Sequence, residues 1–140
     1  MRALLAEDND NDAELVELAL AEAGIPVELT RVENGDECLR FLRRQAPYES
    51  AQPQDLVFLD INMPIKDGYQ VMDELLADDS LKHQPVVILT TSDREEDVVA
   101  MYRKRCNSYA VKPSTFSEFA ELMKKTLVHW AVMARPLPRP

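Results

Sequence analysis

Four short apolar runs in this chain stop abruptly on polar residues, with stretches of helical period between them, and no other feature narrows the fold as much. Arg2-Ala3-Leu4-Leu5-Ala6 runs into Glu7-Asp8, and Asp55-Leu56-Val57-Phe58-Leu59 into Asp60. Pro85-Val86-Val87-Ile88-Leu89 runs into Thr90, and the stretch from Asn107 to Val111 into Lys112. A further run, Val27 to Val32, alternates apolar and polar residues as a half-buried strand does. The 55–59 run is almost wholly apolar, the mark of a strand buried on both faces.

Helical patterns separate these runs. Leu15, Val16, Leu18, Ala19, Leu20 and Ala23 define the first, which Gly24-Ile25-Pro26 terminates. Asn34-Gly35-Asp36 opens the second, carrying Cys38, Leu39, Phe41 and Leu42, and a loop follows from Pro47 to Pro53. The third covers Gly68 to Ala77, the fourth Arg94 to Lys104, and the last runs from about Ser114 to Met133. Five strands alternating with five helices predict an α/β fold, a doubly wound five-stranded parallel sheet with an extended C-terminal helix. One domain over residues 1–135 and a proline-rich tail at 136–140 account for the 140 residues.

In such a sheet, ligands bind outside the carboxyl ends of the strands, where the chain direction switches. Glu7 and Asp8, Asp60, Thr90 and Lys112 all fall at strand ends and therefore meet on one rim. Taken singly, each has an ordinary structural role. An Asp at a strand end caps a turn or helix, Asp10 or Asp12 caps the first helix, and a threonine there is unremarkable. Together they make a chemical set. Three converging carboxylates repel one another, and a hard divalent cation such as Mg2+ relieves the repulsion. A carboxylate beside that cation, an ammonium and a hydroxyl is placed to attack phosphorus and hold the phosphoryl group. Asp60, at the end of the most apolar strand, is the candidate nucleophile.

Composition removes several classes. With 25 acidic and 16 basic residues the net charge is −9, which speaks against a nucleic-acid binder. No apolar run approaches the ~20 residues of a membrane span, and the N-terminus turns acidic too early for a signal peptide. A cytoplasmic chain is expected, contacting neither nucleic acid nor membrane. Cys38 and Cys106 are too few and too far apart for a disulfide framework or a zinc site, and Cys106 is expected to be a buried filler. His83 and His129 stand alone and are expected in structural or surface roles.

From Arg2 to about Leu127 the chain resembles a response-regulator receiver domain, the CheY-like variant of the flavodoxin-like fold. The resemblance rests on Glu7-Asp8, Asp60-Ile61-Asn62-Met63-Pro64-Ile65-Lys66-Asp67-Gly68, Val87-Ile88-Leu89-Thr90 and Tyr109-Ala110-Val111-Lys112-Pro113, in that order. It implies that Asp60 accepts a phosphoryl group from a phosphohistidine on a partner histidine kinase. It implies Mg2+ held by Asp8, Asp60 and the Asn62 carbonyl, with Glu7 acting through water. Lys112 and Thr90 would bind the phosphoryl oxygens, and Thr90 and Tyr109 would form the switch. Such a protein is a phosphoacceptor rather than an enzyme, with self-catalysed phosphorylation and slow autodephosphorylation. The chain departs from the family pattern in having Glu-Asp where Asp-Asp is common, Arg105-Cys106 where Gly-Ala is common, and Thr91 where alanine or serine is common.

On the last helix, Phe116, Phe119, Leu122, Met123 and Leu127 have the spacing to pack on the sheet, whereas Trp130 and Met133 lie beyond the core edge. Val98, Val99, Met101 and Tyr102 of the fourth helix would extend the same face. Val99, Tyr102, Trp130 and Met133 are thus candidate interface residues, for a homodimer formed by the fourth helix, fifth strand and fifth helix. The segment Asp78 to Ser92 and the Trp-containing C-terminal extension resemble the single-domain regulators that serve bacterial phytochromes, which implies a light-sensing kinase as donor. Two other classes fit the residues less well. A haloacid-dehalogenase-type phosphatase needs an acid two residues past its nucleophile, where this chain has Asn62. A phosphorylation-independent docking module would be expected to have lost Asp60, Lys112 or one of the acidic pair, and all are present.

Overall fold

The apolar runs become the strands of one parallel sheet in the computed structural model, which describes residues 1–135 and Pro138. The elements in chain order are β1 (Arg2–Ala6), α1 (Asp10–Ala23), β2 (Glu28–Val32), α2 (Gly35–Leu42), β3 (Leu56–Leu59) and α3 (Gly68–Ala77). They continue with β4 (Val86–Thr90), α4 (Glu95–Arg103), β5 (Ser108–Val111), α5 (Phe116–Leu127) and a π-helical segment, Val128–Met133. The strand order is β2-β1-β3-β4-β5, every pair parallel, so the chain reverses its winding between β1 and β3. Of the tail predicted at 136–140, all but Pro138 lies outside the described residues.

Strand periodicity divides the core in two. Leu4, Ala6, Val57, Leu59, Val86 and Ile88 face α2, α3 and α4, where they meet Cys38, Leu39, Val71, Met72, Leu75 and Met101. The alternate residues Ala3, Leu5, Leu56, Phe58, Val87 and Leu89 face α1 and α5, meeting Val16, Ala19, Phe119, Met123 and Leu127. All of β3 and β4 is buried, as the unbroken apolar runs required, while edge strands β2 and β5 are mostly half-buried. Each buried aliphatic or aromatic side chain contributes about 1.5–3 kcal/mol.

Helix ends follow local chemistry. Asn9, not Asp10 or Asp12, caps α1, its side chain accepting from the Asp12 amide at 3.0 Å. Gly24 closes that helix at φ +70°, a conformation in which any Cβ is strained. Asn34 caps α2, Asp67 and Gln70 form a reciprocal capping box on α3, and Thr115 caps α5. The N-cap of α4, Arg94, makes no side-chain capping bond.

The C-terminal helix differs from expectation in three respects. Its α-helical part ends at Leu127, and the chain then widens into the π-helical segment, whose end is marked by the Ala134 amide donating to the His129 carbonyl at 2.6 Å. Trp130, expected beyond the core edge, is half-buried and packs on the α1–α5 side of the core, while Val132 and Met133 stay exposed. Phe116, expected on the sheet, is exposed because it is the first residue of α5. Met101 of α4 belongs to the core rather than to an outer face, whereas Val99 (47% exposed) and Tyr102 (50%) face solvent.

Candidate functional site

The carboxyl ends of β1, β3, β4 and β5 bring the sequence-predicted groups onto one rim. Glu7 continues β1 by one residue: its amide donates to the Val32 carbonyl at 3.1 Å, and its own carbonyl accepts from Arg31 Nε at 3.0 Å. That backbone clamp turns the Glu7 side chain inward, where it is 1% exposed. Asp60 is fixed in the same way. Its amide donates to the Ala6 carbonyl at 3.2 Å, and its Oδ1 accepts from the Ile61 amide at 2.8 Å. Gly68 opens α3 against this turn, donating from its amide to the Ile61 carbonyl at 2.8 Å, and a Cβ there would lie 2.6 Å from the Asp60 carbonyl oxygen. Lys112 follows the last rung of the sheet, its amide donating to the Thr90 carbonyl at 2.7 Å.

Charge concentrates where these ends meet. Carboxylate oxygens of Glu7, Asp8 and Asp60 all lie within 4.8 Å of one another. Lys112 Nζ is 2.5 Å from Glu7 Oε1, 3.3 Å from Asp12 Oδ2 and 3.9 Å from Asp60 Oδ2. Burial, with the nearby Asp60 charge, pushes the Glu7 carboxyl up to about 7 against the pull of Lys112. Burial also works against the Lys112 charge, but the bond it donates to Glu7 and the charges of Asp60, Glu7 and Asp12 outweigh it and hold that ammonium above the ordinary lysine value. Three carboxylates thus face one ammonium, with Asp8 beside Glu7 and Asp60, in an all-oxygen set that suits a hard divalent cation, so the residues present fit one. Such a cation would add the positive charge that the rim lacks.

The remaining groups line the approach. Thr90 is fully buried, and its Oγ1 accepts from the Ser92 amide at 3.3 Å. Asn62 is exposed and lines a cleft of about 350 Å3 with Ile61, Asp67, Tyr69, Thr91, Ser92, Arg94 and Asp97. The Tyr109 hydroxyl donates to the Ser92 carbonyl at 2.8 Å, and the Tyr109 amide donates to the Tyr102 hydroxyl at 3.2 Å. A roomier cleft of about 710 Å3 lies at the other end of the sheet, lined in part by Met1, Asp55, Pro85 and Trp130, away from this chemistry.

Sequence reading missed two features. Asp12, which the sequence offers only as a cap of α1, is a third acidic neighbour of Lys112; its place in the first turn of α1 is the only signal. The contacts of Asp97 with Ser92 and Tyr69 join residues far apart in sequence and left no local signature.

Comparison with known proteins places this geometry among relatives. The family model described as "Response regulator receiver domain" matches residues 3–124. Response regulator Rcp1 of Synechocystis sp. is 35% identical over 127 residues, covering 91% of this chain and 86% of Rcp1. The solved Mn2+-bound form of Rcp1 superposes with a TM-score of 0.90 at 33% identity, covering 98% of this chain and 99% of that one. The phosphorylated cyanobacterial phytochrome response regulator RcpA gives 0.92 at 35% identity, covering 98% of both chains. RPA3017, a response regulator in red light signalling of R. palustris, gives 0.91 at 28%, covering 99% of both.

Proposed function

This chain belongs to the response-regulator receiver family, and from that premise we propose that it is a phosphoacceptor of a two-component phosphorelay, with Asp60 as the acceptor. One observation carries the reading: Asp60 sits within the Glu7–Asp8–Asp60 acidic cluster and 3.9 Å from Lys112, with Thr90 at the end of the neighbouring strand. An Asp60 carboxylate oxygen attacks the phosphorus of a phosphohistidine on the donor kinase. The new O–P bond forms as the P–N bond breaks, and the imidazole leaves with its electron pair and takes a proton. Glu7, Asp8, Asp60 and Asn62 would hold Mg2+, which supplies charge neutralisation at the phosphoryl oxygens. Lys112 binds those oxygens from the other side, and the Thr90 hydroxyl turns from the Ser92 amide to donate to one of them.

Output is by protein contact, through the surface of α4, β5 and α5. That surface exposes Val99, Tyr102, Val111 and Phe116, which supports a homodimer contact there with Met133 at its margin. Trp130 is better assigned to this chain's own packing. The similarity to RcpA, Rcp1 and RPA3017 supports a phytochrome-type histidine kinase as donor. The protein acts as a phosphoacceptor, not as a turnover enzyme, and a cytoplasmic location suits it; no helix among the described residues is long and apolar enough to cross a membrane. A docking module indifferent to phosphorylation has no use for the acidic cluster and the Lys112 contacts.

The test is intact mass after incubation with Mg2+ and acetyl phosphate, beside Asp60→Asn. One phosphoryl adduct that needs the cation and is absent from the variant is the expected result. A folded chain that gains no adduct, or an Asp60→Asn chain that still gains it, would overturn the assignment.

A further inference from the structure

The loop between β4 and α4 is tied down by a group to which the phosphorelay reading assigns no role. Asp97, in the first turn of α4, uses both carboxylate oxygens: Oδ2 accepts from the Ser92 hydroxyl at 2.5 Å, and Oδ1 accepts from the Tyr69 hydroxyl of α3. Tyr69 is held at a second point, with Lys104 Nζ 5.8 Å from its ring centroid and paired to Asp73 of α3. Ser92 is the hub of the loop. Its amide donates to Thr90 Oγ1, its carbonyl accepts from the Tyr109 hydroxyl, and its Oγ accepts from the Arg94 amide at 3.4 Å. Because Arg94 makes no capping bond of its own, the start of α4 depends on Ser92 and Asp97 for its placement. Only Met101 of α4 is fully buried, against four residues each in α1, α2 and α3, so the core holds this helix less firmly than those.

We propose that Asp97 is a positioning residue which, by accepting from Ser92 and Tyr69 together, latches the β4–α4 loop in its resting place and opposes the movement of Thr90 and Tyr109 that follows phosphorylation. The proposal rests on the phosphorelay reading of Asp60. Moving the Thr90 side chain toward a phosphoryl oxygen stretches its 3.3 Å bond from the Ser92 amide, and Tyr109 cannot leave its site without giving up the Ser92 carbonyl. Both movements are resisted as long as Asp97 holds Ser92. The bonds from Ser92 and Tyr69 also keep the Asp97 carboxyl below its ordinary range, consistent with an ionised acceptor at working pH. A latch that favours the resting state weakens, by the same factor, any ligand that selects the switched state.

Two measurements on the full chain test this. The first is the affinity for beryllofluoride, a phosphoryl mimic, in saturating Mg2+, for wild type, Asp97→Ala, Asp97→Asn and Tyr69→Phe. Loss of bonds to a charged, partly exposed acceptor is expected to tighten binding about fivefold in Asp97→Ala and about threefold in Tyr69→Phe. Asp97→Asn keeps one oxygen and is expected to fall between wild type and Asp97→Ala. In the double variant the two effects should not add, since both remove the same contact. The second is hydrogen exchange of residues 91–97 without any mimic, expected to quicken about tenfold in Asp97→Ala. Unchanged exchange would remove the latch, and quickened exchange with unchanged affinity would remove its coupling to the switch. Should Asp97→Ala not fold, Tyr69→Phe decides both points by the loss of one hydroxyl. A wild-type chain that binds no beryllofluoride overturns the phosphorelay reading and the coupling with it, and is told apart from failure of the latch by the exchange result.

Discussion

Replacing Gly68 with alanine should damage the site from behind. A Cβ at position 68 would stand 2.6 Å from the Asp60 carbonyl oxygen and 2.9 Å from Ile61 Cα, well inside the 3.4 Å at which ordinary contact begins. Both neighbours are backbone, and both are pinned: Asp60 by its amide bond to Ala6 and Ile61 by the Gly68 amide itself. Neither can rotate aside, so strand end and helix start must part. Overpacking of this kind costs about 1–3 kcal/mol, which lowers Tm by roughly 4–10 °C in a chain of this size. The displaced group is Asp60, the proposed acceptor, and misplacement near 1 Å costs about 10- to 100-fold in rate. Gly24→Ala is the matched control: it sits at φ +70° with no atom within 4 Å, so its cost is the left-handed conformation alone, about 1–2 kcal/mol. Thermal melts and the rate of adduct formation with acetyl phosphate are measured on both. Comparable losses of Tm are expected, but slow phosphorylation only in Gly68→Ala. A Gly68→Ala chain phosphorylated at the wild-type rate, or equal slowing in both, would refute the reasoning.

Lys112→Ala removes the cation that draws the buried Glu7 carboxyl, already near 7, toward its charged form, so Glu7 takes up a proton and the cost is held to about 1–3 kcal/mol; MgCl2 should raise the Tm of this variant more than that of wild type, read by scanning fluorimetry. Burial pushes the Cys38 thiol up to about 12 and the Cys106 thiol up to about 11, so both stay protonated in the fold. Their burial therefore supports the fold fully below pH 9, and that support is lost as pH rises from there toward 11–12, because the unfolded chain ionises first; urea titrations across this range should show it, and alkylation at pH 8 should be slow until the chain is unfolded. Leu127→Ala, at a fully buried position on the α1–α5 side, should cost about 2–5 kcal/mol in a urea titration, whereas Met133→Ala, at an exposed one, should change stability by no more than about 0.5 kcal/mol.

The sheet was legible because β3 and β4 are buried on both faces and so carry almost no polar residue until they end. That abrupt ending also placed Asp60 and Thr90, and the same logic located Glu7 and Lys112. Helix starts were legible where a capping residue stood at the boundary, as at Asn34, and less so in the run Asn9-Asp10-Asn11-Asp12, where four good capping residues compete and backbone geometry decides for Asn9. Side-chain direction along the last helix is legible only for an unbroken α-helix, and the widening after Leu127 brings Trp130 onto the core. Met101 looked like a member of an exposed stripe because it follows Val98 and Val99; only the docking of α4 on the sheet shows that it points the other way. Contacts such as Tyr69 with Asp97 depend on two helices lying side by side, which no local pattern encodes.

The ion pair of Lys112 with Glu7 spans 105 positions of sequence, and its contact with Asp12 spans 100. During synthesis the acidic cluster is therefore complete once β3 has been made, while its lysine arrives only with the last strand of the sheet. A partly made chain holds carboxylates that repel one another and lacks the ammonium that would draw in a phosphoryl group. Readiness to receive a signal is thus acquired in the same late, long-range step that completes the sheet. On the phosphorelay reading, a copy truncated before β5 therefore lacks the lysine that completes the site.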